Sequence, residues 1–287
     1  MKVARWIGAA ALAAAALASP AAGVTALPQD GLVAYLPMDG DFHDRTANRL
    51  DGFNGGASFV SDGRFGEAGH FAGATVELPA SDLFRFAGGS FTISLWVREP
   101  AMAGGYDTQL FFQDPADGAP WIYFQAHPAY GFFFDVYNGG GPRAFFPASG
   151  VTVADGAWHN LLAEEDQAGG TASYYIDGQL VGSQAYAAFA FGSAPAIDLG
   201  SAGGGAPMTG DLDEVAIWSR ALTGDEIAAV AAGTYEAAGA GGGAVPEPAS
   251  LALALAGAVA ASSIGASTRR ASKHRSATSR AARQAAG

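Results

Sequence analysis

The sequence predicts an all-β domain, a sandwich or barrel of antiparallel strands with one short helix near its end. Short β-prone runs alternate with Gly/Asp/Pro turns at fairly regular spacing along the middle of the chain. Residues 90–97 alternate cleanly, with Phe91, Ile93, Leu95 and Val97 on one side and Ser90, Thr92, Ser94 and Trp96 on the other. From the N-terminal apolar segment to about residue 223, no stretch sustains a helical period.

Taken in order, 31–39 opens as an apolar strand running into the acidic turn 39–44. A glycine-rich stretch follows, then candidate strands at 57–61, 71–78 and 90–97. The alternation at 90–97 implies a sheet with one face in the core. Further runs fall at 108–113, 121–126, 131–137 and 143–146. Residues 158–163 and 171–176 pair as a hairpin across 166–170, and Asp177-Gly178 has type I′ turn chemistry leading into 179–184. Strands at 196–200 and 212–218 complete the set. Thr223 with Glu226 three residues on is a capping box, which predicts a helix over 225–232.

Both ends lie outside this pattern. Lys2 and Arg5 precede an apolar core at 7–17 and then small residues, the layout of a secretory signal peptide over 1–26. Cleavage after Ala18 or after Ala26 fits equally. Residues 237–244 are only Ala and Gly and read as a flexible tether. Beyond them come Pro246-Glu247-Pro248, an apolar run at 249–266 about long enough to cross a bilayer as a separate transmembrane helix, and a basic end beginning with Arg269 and Arg270. Basic residues with no acid after them mark a cytoplasmic flank.

The domain at 27–236 holds 7 Arg and no Lys against 26 Asp plus Glu, a net charge near −19 that the whole-chain value of −12 conceals. Such an acidic surface argues against nucleic acid and anionic polymers, and suits solubility or cation binding. Cysteine is absent, so stability must come from core burial, for which the domain is long enough.

Two resemblances arise from these residues. Pro246-Glu247-Pro248, the helix and the basic end together resemble the PEP-CTERM sorting tail over 245–287. That resemblance implies an exosortase-type membrane protease as processing partner, with a transient inner-membrane anchor before release to the cell surface or outside. The segments "GLVAYLPMDGDFHD", "FTISLWV", "DGAWHNLLA", "YYIDGQLVGS" and "GDLDEVAIWSRALTGDEI" fall in the order and spacing of the LamG-like, concanavalin A-like lectin/glucanase domain. That family's fold is a two-sheet antiparallel jelly roll, and the resemblance spans nearly all of 31–233.

The residue types limit the chemistry. Glu164, Glu165 and Asp166 are contiguous, so neighbouring side chains point to opposite faces and cannot act as a glycosidase pair; they read as a solvated hairpin end. Asp211 and Asp213 have one correct interval without a third acid on the same face. His43, His70, His127 and His159 lack zinc spacing, and no Gly-x-Ser-x-Gly occurs. His159 follows Trp158 in what resembles the family's Trp-His motif, where the His more often packs or bonds backbone than reacts. No catalytic residue is therefore expected.

Aromatics are the stronger lead, since sugars stack their C–H faces on rings while polar groups bond the hydroxyls. Trp121, Tyr130 and Tyr137 carry polar handles near strand ends, with Asp135 and Asn138 beside them, although aromatics at strand spacing also fill cores. Asp39, Asp41 and Asp44 share one tight turn, and Asp211 and Asp213 begin the last strand; relatives often place a structural Ca²⁺ where those two strand ends meet, the alternative being turn aspartates that bond their own backbone. The expectation is an exported, non-catalytic carbohydrate-binding module of the cell envelope or exopolysaccharide matrix. A structural or protein-binding matrix component is the alternative, and a glycoside hydrolase the third reading.

Overall fold

Two antiparallel sheets pack face to face in the computed structural model, which describes residues 25–236 apart from 88, 101–104, 114–119, 141–142, 149–153, 187–189 and 234. The expected transmembrane helix, the sorting residues Pro246, Glu247, Pro248, Arg269 and Arg270, and most of the leader lie outside the described residues. Among those described, no helix is long and apolar enough to cross a membrane.

In chain order the strands are β1 (Thr25–Ala26), β2 (Leu32–Leu36), β3 (Phe53–Asn54), β4 (Ser58–Val60), β5 (Ala68–Ala72) and β6 (Val76–Leu78). After one 3-10 turn at Asp82–Arg85 come β7 (Phe91–Arg98), β8 (Asp107–Gln113), β9 (Trp121–His127), β10 (Gly131–Tyr137) and β11 (Arg143–Pro147). Then follow β12 (His159–Asp166), β13 (Thr171–Ile176), β14 (Gln179–Ala185), β15 (Ile197–Leu199), β16 (Thr209–Trp218), helix α1 (Gly224–Ala232) and β17 (Tyr235–Glu236).

A seven-stranded sheet runs β11-β10-β9-β8-β15-β6-β3, and an eight-stranded one runs β14-β13-β12-β7-β16-β5-β4, with β2 also on β16. Separately, β1 and β17 pair in parallel and bring the two ends of the domain together. Phe91, Ile93, Leu95 and Val97 of β7 face Leu110, Phe112, Phe124, Phe132 and Phe134 of the other sheet across one continuous apolar core. Each such side chain contributes about 1.5–3 kcal/mol by leaving water.

The hairpin and cap chemistry act as the sequence predicts. Asp177 and Gly178 both take positive φ, 51° and 74°, as a type I′ turn requires. Thr223 accepts from the Glu226 amide while the Glu226 carboxylate accepts from the Thr223 amide, so α1 starts on a complete capping box and begins one residue earlier than predicted. Gly233 ends it in the left-handed region.

Three expectations change. The single strand expected at 71–78 is two, β5 and β6, one in each sheet; the chain crosses between layers at Gly73, whose φ is +84°. The polar face of β7 is not solvated: Thr92, Ser94 and Trp96 are buried. A second apolar layer covers that side of the sheet, in which Leu222, Ile227 and Val230 from the helix region pack on Leu162, Ala216 and Trp218. The end of β12 is not a solvated hairpin end either. Glu165 is fully buried and Glu164 is half-buried, its carboxyl pushed up to about 7 mainly by burial and then by Asp166. The two point to opposite faces, as alternation requires.

Strand β16 carries a bulge between Asp213 and Ala216. Glu214 has φ 53°, a conformation that costs an L-residue about 1–2 kcal/mol. Upstream of the bulge β16 pairs with β5, and downstream with β2. The Tyr35 hydroxyl on β2 donates to Glu214 Oε2 at 2.5 Å and holds the switch in place.

Candidate functional site

Alternation on β9 and β10 sorts the aromatic crowd into two functions. Ile122, Phe124, Ala126, Phe132, Phe134 and Val136 enter the core. The intervening residues Trp121, Tyr123, Gln125 and Phe133, Asp135, Tyr137 stand on the outer face of the seven-stranded sheet. In the antiparallel register Trp121 lies opposite Tyr137, Tyr123 opposite Asp135, and Gln125 opposite Phe133. On the other flank β11 places Arg143 opposite Tyr137 and Phe145 opposite Asp135.

These side chains form a groove of about 550 Å³. Asp135 occupies its middle between two groups of rings. On one side Trp121 meets Tyr137 at 4.4 Å between centroids, and Tyr123 stacks on Phe111 at 4.5 Å. On the other, Tyr130 and Phe133 each approach Phe145, at 5.5 and 5.2 Å, while Tyr106 lies against Phe133. Tyr106 and Tyr130 are among the exposed large side chains of the domain.

Asp135 is buried and accepts two bonds from Arg143, Nε to Oδ1 at 2.8 Å and Nη2 to Oδ2 at 2.6 Å. That bond pushes the Arg143 pKa further up. The Trp121 indole N–H also reaches Asp135 Oδ2, at 3.4 Å. The Tyr123 hydroxyl is pushed up by burial first and by Asp135 second, so it stays a neutral donor and acceptor. Gln184 on β14 lines the far wall and gives an amide N–H to the Phe145 carbonyl.

The structure thus brings Trp121, Tyr130 and Asp135 into one groove, with Tyr137 backing Trp121 from outside the lining. Asn138 follows β10 and does not line the groove. Arg143, Tyr106, Tyr123 and Gln184 are additions. Gln125 is a further addition; the alternation Trp-Ile-Tyr-Phe-Gln is the sequence signal that places Tyr123 and Gln125 on the face of Trp121, whereas Arg143 and Gln184 arrive only through strand pairing and sheet closure.

The five aspartates expected to hold calcium are each engaged by other groups of the protein. Asp44 Oδ1 accepts from the amides of Tyr35 and Thr46, and its Oδ2 from the Leu50 amide and the Thr46 hydroxyl. Asp41 pairs with Arg45, and Asp39 accepts from the Glu67 amide. Asp211 lies between His70 and Arg98, and Asp213 accepts from the Phe65 amide. Burial pushes the Asp213 carboxyl up to about 8, against the backbone bonds it accepts. Among the described residues no three Asp, Glu, His or Cys side chains form a metal-binding group. His159 bonds Asp177 at 2.7 Å and Asp155 at 3.3 Å, a structural role.

Residues 71–228 match the concanavalin A-like lectin/glucanases superfamily. The chain belongs to that superfamily. No curated protein sequence matches it. Among solved structures this lectin/glucanase-type sandwich is similar to the binding domain of Paraclostridial Mosquitocidal Protein 1, with 17% identity, TM-score 0.58, and coverage of 70% of this chain and 52% of that one. It therefore spans about half the length of that relative. It is also similar to domain 4 of AbnA, a GH43 extracellular arabinanase from Geobacillus stearothermophilus solved with arabinotriose (22% identity, TM-score 0.57, 70% of this chain and 98% of that one). The Trypanosoma rangeli sialidase shares 16% identity at TM-score 0.53 over 71% of this chain and 33% of that one. At identities this low, the structural similarity shows a common fold alone.

Proposed function

We propose that this protein is an exported, non-catalytic carbohydrate-binding module of the cell envelope or extracellular polysaccharide matrix. The observation that carries the reading is the groove on the outer sheet face, where solvent-facing rings flank a buried, hydrogen-bonded Asp135. Aromatic faces with a polar tip suit the mixed surface of a sugar, and a few fixed polar groups among apolar walls set orientation. The core supplies its own aromatics from the opposite face of the same strands, so the groove rings are not needed to fill it. The arabinotriose complex of a domain with this fold supports the same direction.

A glycosidase needs two carboxyl groups flanking one bond, about 5–10 Å apart. Among the described residues the groove has one, already held by Arg143. Export through the leader and anchorage followed by exosortase-type processing of the PEP-CTERM-like tail complete the proposal. A glycan array probed with the full-length protein tests the binding reading: saturable binding to one glycan class is expected. An array with no binder, together with self-association or capture of one defined protein, would favour the matrix-component alternative.

A further inference from the structure

We infer that the groove selects neutral polysaccharide and rejects glycans bearing carboxylates, and that the Asp135–Arg143 pair is the discriminating element. The inference rests on the carbohydrate reading above and specifies its ligand class. Asp135 and Arg143 are the only charged residues among the described residues lining the groove. An unopposed guanidinium there would be a ready clamp for a uronic or sialic acid, because its planar fork matches a carboxylate. Here that fork is already filled. Arg143 spends Nε and Nη2 on the two oxygens of Asp135, at 2.8 and 2.6 Å.

The burial is asymmetric. The Asp135 side chain is 5% exposed and that of Arg143 is 53% exposed. A ligand carboxylate that captured Arg143 would leave Asp135 buried without its counter-charge, the arrangement that costs most in a protein interior. Asp135 cannot follow the guanidinium outward, since it sits mid-strand in β10 between Tyr123 and Phe145 on the neighbouring strands. The pair is therefore locally neutral, and the field beyond it is acidic: the domain at 27–236 has 7 Arg and no Lys against 26 acids. That field opposes the approach of a polyanion before contact.

Neutral sugars meet neither obstacle. A guanidinium has five N–H donors, and those not given to Asp135 remain suited to hydroxyl oxygens. Gln184 is oriented by its bond to the Phe145 carbonyl, and Trp121 and Tyr130 offer ring faces. Such contacts carry little ionic character, so binding should be nearly indifferent to salt.

The test is retardation of the full-length protein in affinity gels containing neutral polymers (arabinan, xylan, mixed-linkage β-glucan, galactomannan) or acidic ones (polygalacturonate, alginate), at about 0.05 M and about 0.5 M salt. At least one neutral polymer is expected to retard the protein, within about twofold at both salt levels, and neither acidic polymer at either. Asp135→Asn keeps the shape of the side chain but frees the charge of Arg143. It should acquire retardation by polygalacturonate at low salt, at least about threefold above wild type, lost at high salt. Salt-sensitive retardation of the wild type by an acidic polymer would overturn the inference while leaving the carbohydrate reading standing. So would an Asp135→Asn protein that binds the neutral polymer and stays blind to polygalacturonate. Retardation by no polymer of either class, with an intact melting transition, would remove the carbohydrate reading and this inference together.

Discussion

Trp121 and Tyr137 face each other across the β9–β10 ladder, with 4.4 Å between ring centroids, on the opposite side of the sheet from Phe124 and Phe134. Rings on adjacent strands that differ only in which way alternation turns them therefore differ in what their loss should do. Trp121→Ala is expected to lower glycan affinity at least about tenfold with a small change in melting temperature. Phe124→Ala should cost about 3–5 kcal/mol of stability. Melting curves and affinity gels on both variants check this; a large loss of stability in Trp121→Ala would mean the ring serves the fold instead.

Glu99 and Gln109 form a buried pair, Nε2 to Oε1 at 2.6 Å, in which Glu99 Oε2 and Gln109 Oε1 have no hydrogen-bond partner among the described residues. Burial, with a smaller push from Asp107, raises the Glu99 carboxyl to about 8 despite the opposing Gln109 bond. A carboxyl raised on folding favours the native state below its unfolded pKa, near 4.5, and that contribution drains away as pH climbs towards 8. Glu99→Gln keeps the shape, cannot ionise and offers an N–H to Gln109 Oε1. Its stability advantage over wild type should grow from pH 5 to pH 8, level off above that, and reach on the order of 1–3 kcal/mol near neutrality. Urea denaturation across that range measures it; an advantage that is flat with pH would refute the assignment.

The aspartates that the sequence groups as a calcium site are each engaged by protein donors. Thermal melting is accordingly expected to be unchanged by EDTA and by later addition of Ca²⁺. A cation bound only by the native state at about a hundredfold over Kd would add about 2.7 kcal/mol, so an upward shift on adding Ca²⁺ would be plain and would restore the site.

At the N-terminal end, Leu27 is buried with Trp218, whose indole N–H donates to the Pro28 carbonyl at 2.8 Å. Thr25 and Ala26 pair with Tyr235 and Glu236. Cleavage after Ala26 would remove β1 and place a charged amine on Leu27, whereas cleavage after Ala18 preserves both. The mature protein is expected to retain Thr25, as intact-mass measurement of exported material would show; a chain starting at Leu27 would contradict it.

For the tail, alanine at Pro246, Glu247 and Pro248 should leave a larger, membrane-retained species than wild type. Fractionation and immunoblotting give the answer, and equal full-length species in the membrane for both proteins would make the anchor permanent.

Period two, turn chemistry and the capping box are local, and they were enough to read the all-β class, the β12–β13–β14 run with its Asp177-Gly178 turn, and α1 from the sequence. Trp121, Tyr130 and Asp135 could be singled out in the sequence because aromatics with polar handles crowd near strand ends with an acid beside them, and the structure brings the three into one groove. What only the tertiary structure decided depends on which strands become neighbours. The stretch 71–78 divides between two sheets at Gly73, a break that its apolar pattern alone does not show. Helix α1 and the segment leading into it shield one side of the larger sheet, so Thr92, Ser94 and Trp96 are buried although their alternation reads as a solvent face. Arg143 reaches Asp135 only through the β10–β11 register. Asp41, Asp44 and Asp213 look alike in sequence, but each takes its role from a different partner: Arg45, the amides of Tyr35 and Leu50, or the amide of Phe65. A carboxylate's function follows from its neighbours in space, and sequence spacing specifies those only within a strand or a turn.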